Sequence, residues 1–191
     1  FLSGMAWRSD QKPPVYGVLF IIVNTLISAF LAALVAFPTS VLTALFIVKI
    51  APKRLRVVFT TIVELLAAIP SVVYGVFAAG KITSLVDSLA GVFGKSTFGG
   101  NSLLTVSILL AIMIFPTITA MSITAISAVD KNLELGSLAR GASRTQTNFK
   151  VVLTAAKSGI FAGLVLGLGR AFAEATAVSM VAGNAMTGPT W

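Results

Sequence analysis

Cysteine and histidine are both absent from the 191 residues. Disulfides, thiol nucleophiles and the usual zinc ligand sets are therefore excluded. Acidic residues are scarce too: six Asp and Glu stand against fourteen Lys and Arg, and only 10% of the chain is charged. A soluble domain carries about a quarter charged residues, so this chain has too little polar surface to cover a water-soluble fold. What is present instead is apolar: 57% of the residues are hydrophobic and the mean hydropathy is +0.98. An all-α integral membrane protein follows, because a helix satisfies its own backbone in lipid. The net charge of +8 does not point to nucleic acid, since the basic residues cluster in short segments between apolar runs. The opening residues, FLSGMAWRSDQKPP, lack the pattern of a signal peptide. The chain begins at Phe1 rather than Met and ends at Trp191, and we read it as a fragment of a longer polypeptide.

Four apolar runs are expected to span a membrane. The first covers about 16–50. Its uncharged stretch from Tyr16 to Ala36 is long enough, at about 1.5 Å per residue, for one hydrocarbon thickness of about 30 Å. Pro38 predicts a kink, since proline removes a helical hydrogen bond. The second run covers about 57–79 and contains Glu64 and Pro70. A Gly/Ser-rich loop is expected over 80–100, with a short amphipathic helix around Ile82 to Phe93. The third run covers about 101–123, with Pro116 inside it, and the fourth about 158–182. Pro70 and Pro116 are expected to break their spans and line a cavity, where the freed carbonyls find partners.

Lys and Arg counts set the orientation. The 49–56 segment has four (Lys49, Lys53, Arg54, Arg56) and the 127–157 segment has five (Lys131, Arg140, Arg144, Lys150, Lys157). The N-terminal segment has two (Arg8, Lys12) and the 80–100 segment two (Lys81, Lys95). The richer pair belongs in the cytoplasm, which puts the N-terminal segment and Trp191 outside. GKST, Gly94 to Thr97, imitates the end of a phosphate-binding loop, but the glycine needed five residues earlier is Leu89. Any ATP chemistry must belong to a partner.

The polar segment Leu135 to Thr154, LGSLARGASRTQTNFKVVLT, is long for a connector and has helical spacing. Leu138, Ala142, Phe149, Val152 and Leu153 fall on one apolar side, and Gly141 permits a sharp turn between two short helices. Such a helix-turn-helix suits a docking surface on the cytoplasmic face.

Two charges stand inside the fourth run. Arg170 lies thirteen residues past Lys157, about 20 Å along a helix. A charge there costs several kcal/mol, about 3 or more, if it faces lipid, so it is expected to face the bundle. Glu174 at i+4 is within pairing reach, and Glu64 in the second run is a second candidate buried acid. The group is either an ion-pair lock between helices or an anion path, in which a guanidinium fork binds oxygens and a competing carboxylate keeps the site weak. Gly163, Gly167, Gly169, Ala171 and Ala173 are expected to allow close helix packing. Asn24, Thr25, Ser28, Ser71, Tyr74, Thr117 and Thr119 are further polar groups available to a path.

The 135–154 segment resembles the EAA loop of ABC-importer permeases, which runs Glu-Ala-Ala, three residues, Gly, nine residues, Ile-any-Leu-Pro. Aligned on Gly141, the Glu-Ala-Ala positions are Leu135, Gly136 and Ser137, Ala142 follows the glycine, and Val151, Leu153 and Thr154 take the places of Ile, Leu and Pro. APKRLR, VELLAAIPSVVYG, LLAIMIFPTI and GLGRAFAEATAVSMVAGN resemble the PstC-type permeases of phosphate importers over nearly the whole chain. One departure is Ala173, where that family usually has Gly before the glutamate. The resemblance implies the helix-bundle fold of type I ABC-importer permeases (MetI-like), with one span missing before Phe1 and one after Trp191. It implies no covalent chemistry and no bound cofactor in this chain, with ATP and Mg held by a partner ATPase. It further implies a PstA-like second permease subunit, paired ATPase subunits docked on the 135–154 loop, an extracytoplasmic phosphate-binding protein, and a bacterial or archaeal plasma membrane. A permease for sulfate or molybdate, an ion-coupled secondary carrier using Arg170 and Glu174, and a structural membrane subunit remain open alternatives.

Overall fold

The computed structural model describes residues 18–92, 94 and 99–182. The N-terminal segment with Arg8 and Lys12, the KST of GKST, and the Gly183-Asn184 end of the last motif lie outside the described residues.

The described chain is helical throughout. Helix α1 (Leu19–Leu45) contains Pro38 and continues through a wide π turn, Phe46–Ile50. Helix α2 (Lys53–Ala68) follows after Ala51 and Pro52. Helix α3 (Ser71–Phe77) passes through a second π turn, Ala78–Ile82, into α4 (Thr83–Val92). Helix α5 (Leu103–Ser127) contains Pro116. Helix α6 (Lys131–Ala139) and the single turn α7 (Arg144–Gln146) lead through a third π turn, Thr147–Val152, into α8 (Leu153–Ala173), and α9 (Thr176–Ser179) closes the described chain. Among the described residues, four segments are long and apolar enough to cross a membrane: Leu19–Ile50, Ser71–Val92, Leu103–Ser127 and Arg144–Ala173.

Two of these differ from the sequence expectation. The helix expected over 57–79 breaks at Ile69 and Pro70, both extended (ψ 131° and 137°). Pro70 has no N–H for the carbonyl of Leu66, which takes the Ile69 N–H instead at 3.3 Å. The helix restarts at Ser71, so residues 80–92, expected as a loop with a separate short helix, continue the apolar helix. The helix expected over 158–182 instead begins at Arg144 and ends at Ala173. Glu174 turns its carboxylate onto the Ala177 N–H (3.0 Å) and supports the separate turn α9.

The chain divides into two compact units, whose boundaries fall within α1, α5 and α8 and at Pro70. The described part of the first comprises 18–32, 70–92, 94, 99–111 and 172–182. There α3 packs on α9 at Gly75, where a Cβ would meet the backbone of Ala177 at 3.0 Å. Gly100, at φ +83°, lies so close to the Thr83 carbonyl that any side chain would overlap it.

The second unit comprises 33–69 and 112–171. Its core joins Ala44, Leu45, Ile47, Val63, Ile123, Ile126, Val152, Ala156 and Ile160. Helices α5 and α8 touch along a glycine stripe. A Cβ on Gly159 would stand 2.6 Å from Ala125, on Gly163 2.9 Å from Met121, and on Gly167 2.7 Å from Ile118. Gly163 and Gly167 thus act as the sequence suggested, and Gly159 joins them. Gly169 does not, having open space where its side chain would be. Hydroxyls serve the carbonyls near both prolines: Thr39 donates to Val35 (2.8 Å), and Phe115 receives Thr119 (2.7 Å) and Ser40 (3.1 Å).

Candidate functional site

Arg170 sits in the last turn of α8, three residues past Gly167. Because the glycine stripe draws α8 onto α5, its half-buried guanidinium reaches that helix. Nη1 donates to Thr117 Oγ1 at 3.1 Å and to the Ala67 carbonyl at 3.2 Å. The carbonyl acceptor has a local cause. The Ala67 carbonyl belongs to the last turn of α2, and the N–H that would continue the helix onto it has turned away at Ile69-Pro70. Thr117 follows Pro116 in α5. The arginine therefore rests on a helix-end carbonyl freed where α2 is broken and on the side-chain hydroxyl of Thr117 in α5.

The acids expected beside it are placed otherwise. Glu64 is exposed on α2, as are Ile62 and Leu65, while Val63 turns into the core. The expectation of a buried acid there is corrected, since 64 and 63 point to different sides of one helix. Glu174 lies beyond the end of α8, so the helical i,i+4 register with Arg170 is not kept, and its carboxylate is bonded to the backbone of Ala177. Among the described residues no carboxylate forms an ion pair with Arg170. Of the other polar candidates, Thr25, Ser28 and Thr119 donate to their own helices, and Thr117 meets Arg170.

A second constellation forms where the two basic segments meet. Asp130 caps α6 by accepting the Asn132 N–H (2.9 Å). Gly141, at φ +85°, ends it: its N–H bonds Leu138 O at 3.0 Å and that of Ala142 bonds Ser137 O at 3.3 Å. This is a Schellman ending, and it uses the left-handed conformation that glycine adopts freely. Ser143 and Gln146 form a capping box that starts the next helix. Ser137 meets Thr147 at 2.9 Å between hydroxyls. The result is the helix-turn-helix expected of 135–154, with a changed apolar face. Val152 is buried and Val151, Leu153 and Ala142 are half-buried, so they serve the packing of their own unit; Leu133, Leu135, Leu138 and Phe149 are exposed. Gly136 is exposed with open space around it.

Two contacts join this region to the spans. Lys49, in the π turn after α1, pairs with Glu134 of α6. Arg56, in α2, donates to Ser127 Oγ at the end of α5 at 3.0 Å. Beside them a cleft of about 340 Å³ is lined by these four residues with Lys131 and the apolar Val48, Val129, Leu135 and Leu138. The sequence reading counted Lys49 only toward orientation and passed over Glu134. The signal available was that Glu134 is the one acid between Asp130 and Glu174.

Comparison with known proteins fits this geometry. Residues 36–191 match the family described as binding-protein-dependent transport system inner membrane component. The chain is 42% identical, over 96% of its length and 58% of the relative's, to the probable ABC transporter permease protein YqgH of Bacillus subtilis. It is 37% identical to the phosphate transport system permease protein PstC of Pasteurella multocida (94% of this chain, 61% of the relative). It is 31% identical to the probable PstC of Methanocaldococcus jannaschii (93% and 60%). The chain thus spans about three-fifths of the length of these curated relatives. With its apolar helices it is a multi-pass membrane protein, and it belongs to the inner membrane component family of binding-protein-dependent transport systems.

Proposed function

We propose that the chain forms the membrane path of an ATP-driven phosphate importer, and that Arg170 is the cation phosphate passes. The observation that carries this reading is a guanidinium in a spanning helix held by a carbonyl and a hydroxyl, with no carboxylate pairing it. Such a group keeps its full charge available to an anion, and its planar fork suits phosphate oxygens. The relatives named as phosphate permeases support the choice of anion. Glu174, bonded here to the Ala177 N–H, is the carboxylate that competes for the guanidinium in this scheme. An extracytoplasmic phosphate-binding protein delivers the substrate, a PstA-like subunit completes the path, and the membrane is the bacterial or archaeal inner membrane. Paired ATPase subunits, which hold ATP and Mg, dock on the cytoplasmic 127–157 segment through Leu133, Leu135, Leu138 and Phe149. They move the spans between inward- and outward-facing states. No covalent step falls to this chain.

The test is uptake of labelled phosphate into vesicles holding the complete transporter, with sulfate and molybdate as competitors. ATP-dependent uptake that excess unlabelled phosphate suppresses and the other two oxyanions leave unchanged is expected. Uptake driven by a proton gradient without ATP would sink the importer reading, and suppression by sulfate or molybdate would reassign the substrate.

A further inference from the structure

Resting on the docking role just proposed, we infer that Lys49 and Glu134 are positioning residues, whose ion pair links the docking helix α6 to the first span. Helix α6 has no buried residue, and it packs on one side only, against the π turn Thr147–Val152. Its caps at Asp130 and Gly141 shape its two ends, and the Ser137–Thr147 contact ties it toward α8. The ion pair ties it to α1. Lys49 is continuous with Ala44, Leu45 and Ile47, which pack in one core with Ile126, Val152 and Ala156, so a force on its ammonium reaches the interior of the unit. Without the pair, α6 has no side-chain tie to the first span and acts through the Ser137–Thr147 contact, its packing on the π turn Thr147–Val152 and its chain connections to α5 and α8.

The pair is sheltered, with side-chain exposures of 15% and 22%. It therefore loses less to solvent than the exposed pairs that contribute little. It also borders the cleft of about 340 Å³, which gives α6 room to shift once released. Among the residues lining that cleft, Glu134 is the only acid, facing Lys49, Arg56 and Lys131. Arg56 is engaged by Ser127. Directional linkage is thus assigned to one carboxylate and one ammonium, which makes it open to exchange.

The test uses the complete transporter with its partner subunits in vesicles, in wild type, Lys49→Met, Glu134→Gln and the exchanged double variant Lys49→Glu with Glu134→Lys. Two quantities are read. The first is phosphate taken up per ATP hydrolysed. The second is the distance distribution between spin labels on cysteines placed at Phe46 and Asn132, in a complex whose other cysteines are replaced; the 191 residues themselves contain none. Each single variant is expected to assemble and hydrolyse ATP, to lower the transport ratio at least about fivefold, the lower end of ordinary coupling energies, and to broaden the distance distribution. The exchange is expected to restore both. Unchanged ratios and distances in the single variants would overturn the inference, as would an exchanged variant no better than either. Broadened distances in the single variants, in a complex whose wild type carries no phosphate, would remove the importer reading while leaving the positioning role in place.

Discussion

Lys49 and Arg170 are both cations in the second unit, and the chain gives them different company. Lys49 meets a carboxylate, Glu134. Arg170 meets a helix-end carbonyl and a hydroxyl, Ala67 O and Thr117 Oγ1. A paired cation is a joint, because its charge is spent on a fixed partner. A cation held by neutral acceptors is oriented without being neutralised, and its field remains open to an anion. The difference tracks sequence: the acid that serves Lys49 lies in a capped helix outside the spans, whereas Arg170 is served by a carbonyl freed at the Ile69-Pro70 break and by the side-chain hydroxyl of Thr117.

The largest effect should come from removing the geometry on which the contrast depends. Gly167→Val places a branched side chain where even a Cβ would stand 2.7 Å from Ile118. Overpacking typically costs about 1–3 kcal/mol, and here the obstacle is a whole helix face. The expected outcome is loss of assembled transporter, read as copurification of the partner subunits; assembly at wild-type yield would show that the α5–α8 approach is softer than drawn.

Next comes the cation. Arg170→Ala should lower phosphate uptake at least about a hundredfold, about 2.7 kcal/mol, while ATPase assembly persists. Arg170→Lys should fall between, since a point charge lacks the fork. Retained uptake in the alanine variant would assign Arg170 to packing alone.

A sharper test gives Arg170 the partner Lys49 already has. Thr117→Asp sets a carboxylate 3 Å or so from the guanidinium, at ordinary hydrogen-bond range. If an unpaired charge is what matters, uptake should fall about tenfold or more with assembly intact, and Thr117→Ser should stay near wild type. Equal uptake in all three would erase the functional difference between the two cations.

Much of this was legible in residues. The apolar runs, the turn at Gly141 and the close packing at Gly163 and Gly167 follow from composition and spacing, because they depend on local chemistry. The partners of Arg170 were not legible. One is a backbone carbonyl, which has no letter in a sequence, and it became free through a break whose depth Pro70 alone does not state. Glu174 misled for a related reason: no Gly or Pro marks the end of α8 at Ala173, so helical spacing carried the acid past the point where the helix stops. The face of Glu64 was legible and passed over: Lys53, Thr60 and Thr61 share its side of α2, opposite Leu55, Ile62 and Leu66.

The smallest expected effect tests the joint's side of the contrast. Gly141 holds φ +85° with open space around it, so an added methyl meets no neighbour and the cost is conformational, about 1 kcal/mol or slightly more. Gly141→Ala should therefore leave uptake at Arg170 intact in affinity and lower only the transport ratio, by a few-fold, because the Schellman ending that sets the angle of α6 is strained. An apparent phosphate affinity that moved together with the ratio would mean that the docking turn and the arginine act as one device, and the separation drawn between a paired joint and an open cation would have to be given up.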